Sequence, residues 1–210
     1  EFDGRTSLIT VPEDGRMPPM TPEGQKRREA EAAKRFGRAD GPEDRRLQER
    51  CITYGSPQLT AGYQSYYQIL QTPSEVAFLT EMIHDVRVIH LEARPHIPPA
   101  IRGWLGDSRG RWEGGTLLVD TSNYKPSAFM SISSEQLHVT ERFSRVDAET
   151  LKYEVTINDP GTWMKPWSYM MMWKRSSKPV YEYACHEGNI GLAGILAGAR
   201  ADDRTENQQK

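Results

Sequence analysis

The chain has 210 residues and a mass of 23.9 kDa, which is enough for one compact domain and too little for two large ones. Its 27 Lys and Arg residues against 29 Asp and Glu residues give a formal net charge of −2, which excludes the basic footprint of a nucleic-acid-binding protein. No stretch reaches the about 18 apolar residues that a membrane span needs, and no signal peptide is recognised. We therefore expect neither a nucleic-acid partner nor a membrane span.

Residues 1–50 predict a charged helical arm. Acidic and basic side chains, 11 of each, make up 22 of these residues. Thr21 followed by Pro22 is typical of a helix start, and we expect this helix to run to Arg35 and a second one to span 42–50. Because neither helix has a wide apolar stripe, the arm is expected to lie over another part of the protein or to dock on a neighbouring subunit.

From residue 51 to residue 200 the pattern predicts an antiparallel β domain that ends in a short helix. Strands are predicted over 66–71, 76–84, 86–91, 116–121, 137–145, 150–158, 167–174 and 179–185. Consecutive short strands without amphipathic helices between them favour a mainly β fold, either a single lipocalin-like antiparallel barrel or a sandwich. The segment 92–110 is expected to be a loop over the barrel mouth, 189–200 a helix, and 201–210 a flexible tail.

The alternation of apolar residues indicates a buried carboxylate. In the strand 137–145, Glu141 shares a face with Leu137 and Phe143. A charge in a dry interior is costly unless it is paired, so we expect either that an arginine (Arg87 or Arg142) or a tyrosine bonds to it or that the acid stays protonated. The first alternative is a packing network, and the second is suited to acid/base catalysis.

Other polar side chains compete for the same interior. Glu81 and His84 lie on opposite faces of the predicted strand 76–84, and either face would point inward. The acid/base candidates are Glu81, His84, Glu141 and His186, and the substrate-binding candidates are Arg87, His138, Tyr153, Trp167, Tyr169 and Tyr181. No phosphate-binding loop, dinucleotide fingerprint or metal-binding histidine motif is found, so we expect neither a cofactor nor a metal.

Three functions follow as hypotheses. The first is an enzyme without a cofactor, a lyase or isomerase that moves a proton on a small apolar or aromatic substrate in the barrel pocket. The second is a lipocalin-like carrier that binds such a molecule without catalysis. The third is an interaction module whose charged arm forms a homo-oligomer.

Cys51 and Cys185 are the two cysteines of the chain. A disulfide between them and two free buried thiols are equally compatible with the sequence. We expect the disulfide if the protein is exported.

Several longer motifs resemble a large, functionally uncharacterised family of exported bacterial proteins rich in β structure. They lie at 21–27, 42–55, 81–89, 94–99, 103–114, 141–147 and 181–189. The strongest is Gly-Trp-Leu-Gly-Asp-Ser-Arg-Gly-Arg-Trp-Glu-Gly at 103–114. The resemblance implies a periplasmic or secreted protein with further residues upstream of Glu1, and it implies no particular activity. The strand–turn–strand pattern at 111–114 resembles the lipocalins only at the level of the fold.

Overall fold

The computed structural model describes residues 6–58 and 65–208, and these residues form a mainly β structure with one nine-stranded sheet and two helices. The strands are β1 (Ile9–Val11), β2 (Tyr67–Gln71), β3 (Glu75–Thr80), β4 (Val86–His90), β5 (Asp107–Glu113), β6 (Thr116–Ser122), β7 (His138–Asp147), β8 (Thr150–Asn158) and β9 (Trp167–Lys174). The α-helices are α1 (Pro22–Phe36) and α2 (Ile190–Gln208), and short 3-10 turns span Pro42–Asp44 and Met82–His84.

The sheet has the order β1-β9-β8-β7-β6-β5-β4-β3-β2. Every neighbouring pair is antiparallel except β4 and β5, which run parallel through Ile89 beside Ser108 and His90 beside Arg109. Residues 91–106 connect these two strands. A connection of this length is needed because parallel neighbours cannot be joined by a tight hairpin turn. Within residues 6–58 and 65–208, no ladder joins β1 to β2. The sheet is therefore mixed and open, and the predicted closed antiparallel barrel is not formed.

The sheet rolls about one buried face. The ring of Tyr67 on β2 stacks on the ring of Trp173 on β9, with centroids 4.6 Å apart. The rings of Phe78 on β3 and Phe143 on β7 are tilted relative to each other, with centroids 5.0 Å apart. Side chains from strands far apart in the sheet order thus meet around a common core. Alternate residues of β3, β4, β7, β8 and β9 supply most of this core, as the period of two predicts.

Helix α1 lies over its own chain. The side chain of Thr21 caps its first turn, as predicted. Arg27 donates to the carbonyl oxygen of Gly161 at 2.6 Å and to the hydroxyl of Thr162 at 2.8 Å. Gly24 lets the helix approach closely, because a Cβ there would lie 2.4 Å from the carbonyl oxygen of Thr162. These contacts place the N-terminal arm against the turn that follows β8.

Several predicted elements differ from the observed ones. The strand predicted over 76–84 ends at Thr80, because Ile83 and His84 adopt left-handed backbone angles with φ of 58° and 46°. The second helix expected over 42–50 is reduced to the 3-10 turn Pro42–Asp44. Helix α2 continues to Gln208, beyond the predicted end near residue 200.

Two further differences concern the sheet itself. The segment 92–110, expected to be a loop, contains the start of β5 at Asp107. The strand predicted over 179–185 is not formed. That segment is held instead by a disulfide between Cys51 and Cys185, so the bridged alternative is the observed one. Among the described helices, none has the length and apolar character needed to cross a bilayer.

Candidate functional site

An ion pair is buried at the centre of the rolled sheet. Glu141 on β7 has no exposed surface, and Arg87 on β4 is 9% exposed. Arg87 donates Nη1–H to Oε1 of Glu141 at 2.9 Å and Nη2–H to Oε2. The hydroxyl of Tyr153 on β8 donates to Oε1 at 2.6 Å. Both carboxylate oxygens are therefore occupied, and of the two arginines considered as partners Arg87 is the one that pairs with Glu141.

Two further N–H groups of the guanidinium also have acceptors. Arg87 donates Nε–H to the hydroxyl of Ser108 at 3.0 Å and Nη2–H to that of Thr121 at 2.7 Å. Burial by itself would lower the pKa of Arg87, but the charge and hydrogen bonds of Glu141 more than offset it and raise this pKa. Burial and the nearby Glu141 raise the pKa of Tyr153 well above its usual range. The arginine stays charged and the phenol stays neutral.

A small cavity of about 30 Å³ lies beside this pair. Its walls include Tyr67, Trp173 and Phe78, the segment 55–58, and Leu105 of the connection between β4 and β5. The volume is about the share of liquid that one water molecule occupies, and ligand pockets are typically about 300–1,000 Å³. A drug-sized molecule can enter only if some of the lining side chains move.

Asp85 adds a second carboxylate to the cavity wall. Its Oδ2 accepts from the hydroxyl of Thr53 at 2.7 Å and from the backbone N–H of Tyr54 at 3.0 Å. Burial raises the pKa of Asp85 above its usual range, and the two hydrogen bonds oppose part of that rise. This residue was not among the predicted candidates. A turn was expected near residues 84–85, but the strand ends at Thr80 and the tight turn Met82–His84 precedes Asp85. The left-handed Ile83 and His84 bring Asp85 back to the start of β4.

The structure does not gather all the predicted acid/base residues here. Glu81 is buried and its Oε2 accepts from the backbone N–H of Tyr66 at 3.4 Å. His84 is exposed and donates Nδ1–H to the carbonyl oxygen of Tyr183 at 3.1 Å. His186 is also exposed. Neither histidine lines the cavity, so of the four candidates only Glu141 does.

The predicted substrate-binding residues divide in the same way. Arg87 and Tyr153 line the cavity. Trp167 and Tyr169 are fully packed in the core. Tyr181 is 68% exposed, away from any strand. The wall is completed by Tyr67, which the sequence placed in a strand without indicating a role for its ring.

His138 belongs to a different cluster, on the outer face of the sheet. Its Nε2 lies 2.8 Å from Oδ2 of Asp120, and His96 Nε2 lies 2.8 Å from Oδ1 of the same carboxylate. His96 Nδ1 lies 2.7 Å from Asp107, which also pairs with Arg109 at 3.0 Å. The hydrogen bond to Asp120 raises the pKa of His138, and the bonds from His138 and His96 lower the pKa of Asp120. Through the contacts of His96 with Asp107 and Asp120, this cluster holds the connection 91–106 against β5 and β6.

This outer cluster does not have the geometry of a metal centre. In the part of the chain that the structure describes, no group of three or more His, Cys, Asp or Glu side chains is arranged to hold a metal ion. Comparison of the chain with protein families, with curated proteins and with solved structures gives no match. The family resemblance of the motifs at 21–189 therefore stays a prediction.

Proposed function

We propose that this protein binds a small, flat apolar or aromatic molecule at the interior cavity and carries it without chemical change, in the manner of a lipocalin. The observation that carries this proposal is the stacked pair of Tyr67 and Trp173, two partly buried rings that close a cavity with a polar floor. The floor supports carriage rather than catalysis, because Glu141 is already engaged by Arg87 and Tyr153.

The stack is the part of the wall best suited to open. Tyr67 lies on β2, at the end of the sheet order, and Trp173 lies near the end of β9. A ring pair of this kind contributes about 0.5–1.5 kcal/mol beyond its buried area. A flat ligand that slides between the two rings replaces one ring contact by two, so the opening can be offset by the ligand itself.

The neutral probe N-phenyl-1-naphthylamine tests this proposal by fluorescence titration. We expect saturable binding of one probe per chain and a three- to tenfold weaker affinity, on the order of one lost stack, in Trp173→Leu. Trp112→Leu is the matched control, since Trp112 is 48% exposed and does not line the cavity. Binding that does not saturate, or that both variants leave unchanged, would overturn the proposal.

A second function, proton transfer, is favoured by Asp85 specifically. This carboxyl lines the cavity, and burial raises its pKa, which is the condition for a general base. The flat substrate 5-nitrobenzisoxazole tests it: the base removes the C3 proton, the N–O bond breaks, and 2-cyano-4-nitrophenolate is released. On this proposal Asp85→Asn lowers the rate by about two decades or more, and Asp14→Asn, in an exposed turn, leaves it unchanged. An unaltered rate in Asp85→Asn refutes it.

We also propose that the protein works in the periplasm or outside the cell. The support is the disulfide between Cys51 and Cys185, because such bonds persist in oxidising compartments and are rare in the cytosol. Fractionation of the native host tests this, and recovery of the protein in the cytosolic fraction with free thiols would contradict it.

A further inference from the structure

A second concave site lies at the opposite end of α1 from the charged segment 37–50. It is a groove of about 780 Å³ between residues 17–22, the first two turns of α1 and residues 163–164. Its volume is within the range of small-molecule pockets, about 300–1,000 Å³. We refer to it as the methionine–proline groove. It shares no lining residue with the interior cavity.

The two walls of the groove are fixed to each other. Residues 18–21 run antiparallel to residues 162–164, with the Met164 N–H donating to the carbonyl oxygen of Pro19 at 2.9 Å and the Thr21 N–H donating to that of Thr162 at 3.0 Å. Three prolines, at positions 18, 19 and 22, stiffen the first wall. The groove is therefore present before any ligand arrives.

The lining is apolar and left uncovered by the described chain. Met164 is 67% exposed and Met17 is 43% exposed. Methionine side chains adapt to ligands of irregular shape. Trp163 contributes to the floor, and its buried indole N–H has no acceptor among the described residues. The lining thus offers an apolar surface.

The charge at the groove is positive. Arg28 on the second turn of α1 lines it, is exposed, and makes no ion pair with any residue that the structure describes. The first turn of α1 carries Glu23, which is not part of the lining and already places a carboxylate at the positive end of the helix dipole, so the attraction for an anion rests on Arg28. An apolar lining with a cationic end is complementary to an amphiphile with an anionic head.

We propose that the methionine–proline groove binds a free amphiphilic carboxylate, with an alkyl or aryl tail on Met17, Met164 and Trp163 and the carboxylate at Arg28. This site is separate from the interior cavity and does not depend on the carrier function proposed for it. A bulky neutral ligand gains the tail contacts but not the ion pair, so the groove discriminates by charge.

The probe is 11-(dansylamino)undecanoic acid, compared with its methyl ester in a fluorescence titration of the full chain. The free acid should bind at least fivefold more tightly than the ester to the native protein. Arg28→Gln should remove this difference, and Met164→Glu should weaken the acid at least tenfold by placing a second anion on the tail surface. Lys26→Gln is the matched control, two residues away on the opposite side of the same helix, and should behave as the native protein does.

Binding to variants of the two sites distinguishes the groove from the interior cavity. The acid should bind Trp173→Leu as it binds the native protein. Loss of binding in Trp173→Leu together with normal binding in Met164→Glu would place the acid in the interior cavity and overturn the groove proposal while leaving the carrier function intact. Equal affinity for acid and ester, or no effect of Arg28→Gln, would also overturn it.

Discussion

Glu141 accepts three hydrogen bonds from Arg87 and Tyr153 although it has no contact with solvent. Removal of one partner from such a pair leaves the other charge buried and unpaired, which is costlier than the pair is favourable. The same three hydrogen bonds occupy both carboxylate oxygens, so a bound molecule could reach Glu141 only by displacing Arg87 or Tyr153. We therefore expect a substitution of Glu141 to act first on stability.

Glu141→Gln keeps the side-chain volume and removes the charge. We expect a loss of about 3–5 kcal/mol in the free energy of unfolding, measured by urea denaturation with the disulfide intact. Glu154→Gln is the control, because Glu154 pairs with Lys152 at the surface and such pairs contribute about 1 kcal/mol or less. If Glu141→Gln does not fold, Tyr153→Phe deletes one hydrogen bond to Glu141 and should cost about 1–2 kcal/mol. Native stability in either interior variant would contradict the structural role.

The stability that the outer cluster contributes depends on pH with opposite sign for His138 and for Asp120. The pKa of His138 is raised by its hydrogen bond to Asp120, so this stabilisation is complete below the unfolded value of about 6.5 and is lost as the pH rises through the folded one. The pKa of Asp120 is lowered by His138 and then by His96, so its contribution is present above about 3.9 and is lost as the pH falls through the folded value. The cluster is most stabilising between these limits.

His138→Asn should therefore cost most near pH 5.5 and least near pH 8.5, measured as the difference in urea unfolding free energy from the native protein. Both side chains are more than a third exposed, so solvent screening holds the maximum to about 1 kcal/mol or less. His186→Asn, an exposed histidine outside the cluster, should show no such trend. A cost that is constant across this pH range would contradict the assignment.

Among the elements, α1 depends on the absence of one side chain. A Cβ on Gly24 would lie 2.4 Å from a backbone carbonyl oxygen that cannot easily move, whereas the Cβ of an alanine at Gly194 in α2 would meet nothing within 4 Å. Helix propensity alone favours alanine over glycine by about 1 kcal/mol at both positions. A comparison of alanine substitutions at Gly24 and Gly194 therefore separates the effect of docking α1 from the effect of helix propensity.

Gly24→Ala should destabilise the protein by about 1–3 kcal/mol, as overpacking does, and should speed limited proteolysis within α1. Gly194→Ala should be neutral or stabilising by up to about 1 kcal/mol. The measurements are urea unfolding and the rate of tryptic cleavage after Lys26 and Arg27. Stabilisation by both substitutions would show that α1 does not dock as described.

Strands with alternating apolar residues were predictable. Two strands were not predicted: β1, which lies in the segment expected to be a helical arm, and β5, which shows the physical reason. Its inward positions include Ser108, which bonds to Arg87, and Gly110, where a Cβ would lie 2.7 Å from Ile89. Neither is apolar, so the alternation that marks a half-buried strand is missing. The segment 179–185 shows the converse, since it alternates well but has no neighbouring strand to pair with.

The candidate site was predictable in part for the same reason. The inward position of Glu141 follows from the local period, but its partner lies 54 residues earlier in the chain, and the sequence left Arg87 and Arg142 open. The position of Asp85 at the cavity was not predictable, because the turn before it requires a left-handed conformation at Ile83 that β-branched residues rarely adopt. Local patterns determine which face a side chain occupies, and the rolled sheet determines what it meets.

For the molecule as a whole, the disulfide ties the end of the chain to the segment that follows the arm. Cys51 and Cys185 are 134 positions apart, and Asn189 donates to the carbonyl oxygen of Glu49 beside them at 2.8 Å. A closed loop of this length stabilises a fold by about 4–5 kcal/mol in the chain-entropy account. The segment 179–189 has no strand pairing of its own to replace that restraint.

The double variant Cys51→Ala, Cys185→Ala should lose about 4–5 kcal/mol and should become sensitive to protease between residues 179 and 189. The native protein in dithiothreitol serves as the comparison and should behave alike. An unchanged urea midpoint in both would show that the described contacts hold this segment without the bond.

The parallel pairing of β4 with β5 involves two residue pairs. It separates the antiparallel meander β2–β4 from the antiparallel meander β5–β9, which carries β1 on its outer edge. Each meander consists of strands that are neighbours in sequence, so it can form by fast local hairpin closure. The pairing of β4 with β5 joins strands that are farther apart in sequence and is expected to form more slowly. The bond between Arg87 on β4 and Glu141 on β7 crosses this junction. Native-state amide exchange should therefore resolve two cooperative units, with the β2–β4 unit opening first. The buried ion pair between Arg87 and Glu141 then couples the opening of the smaller unit to the larger one.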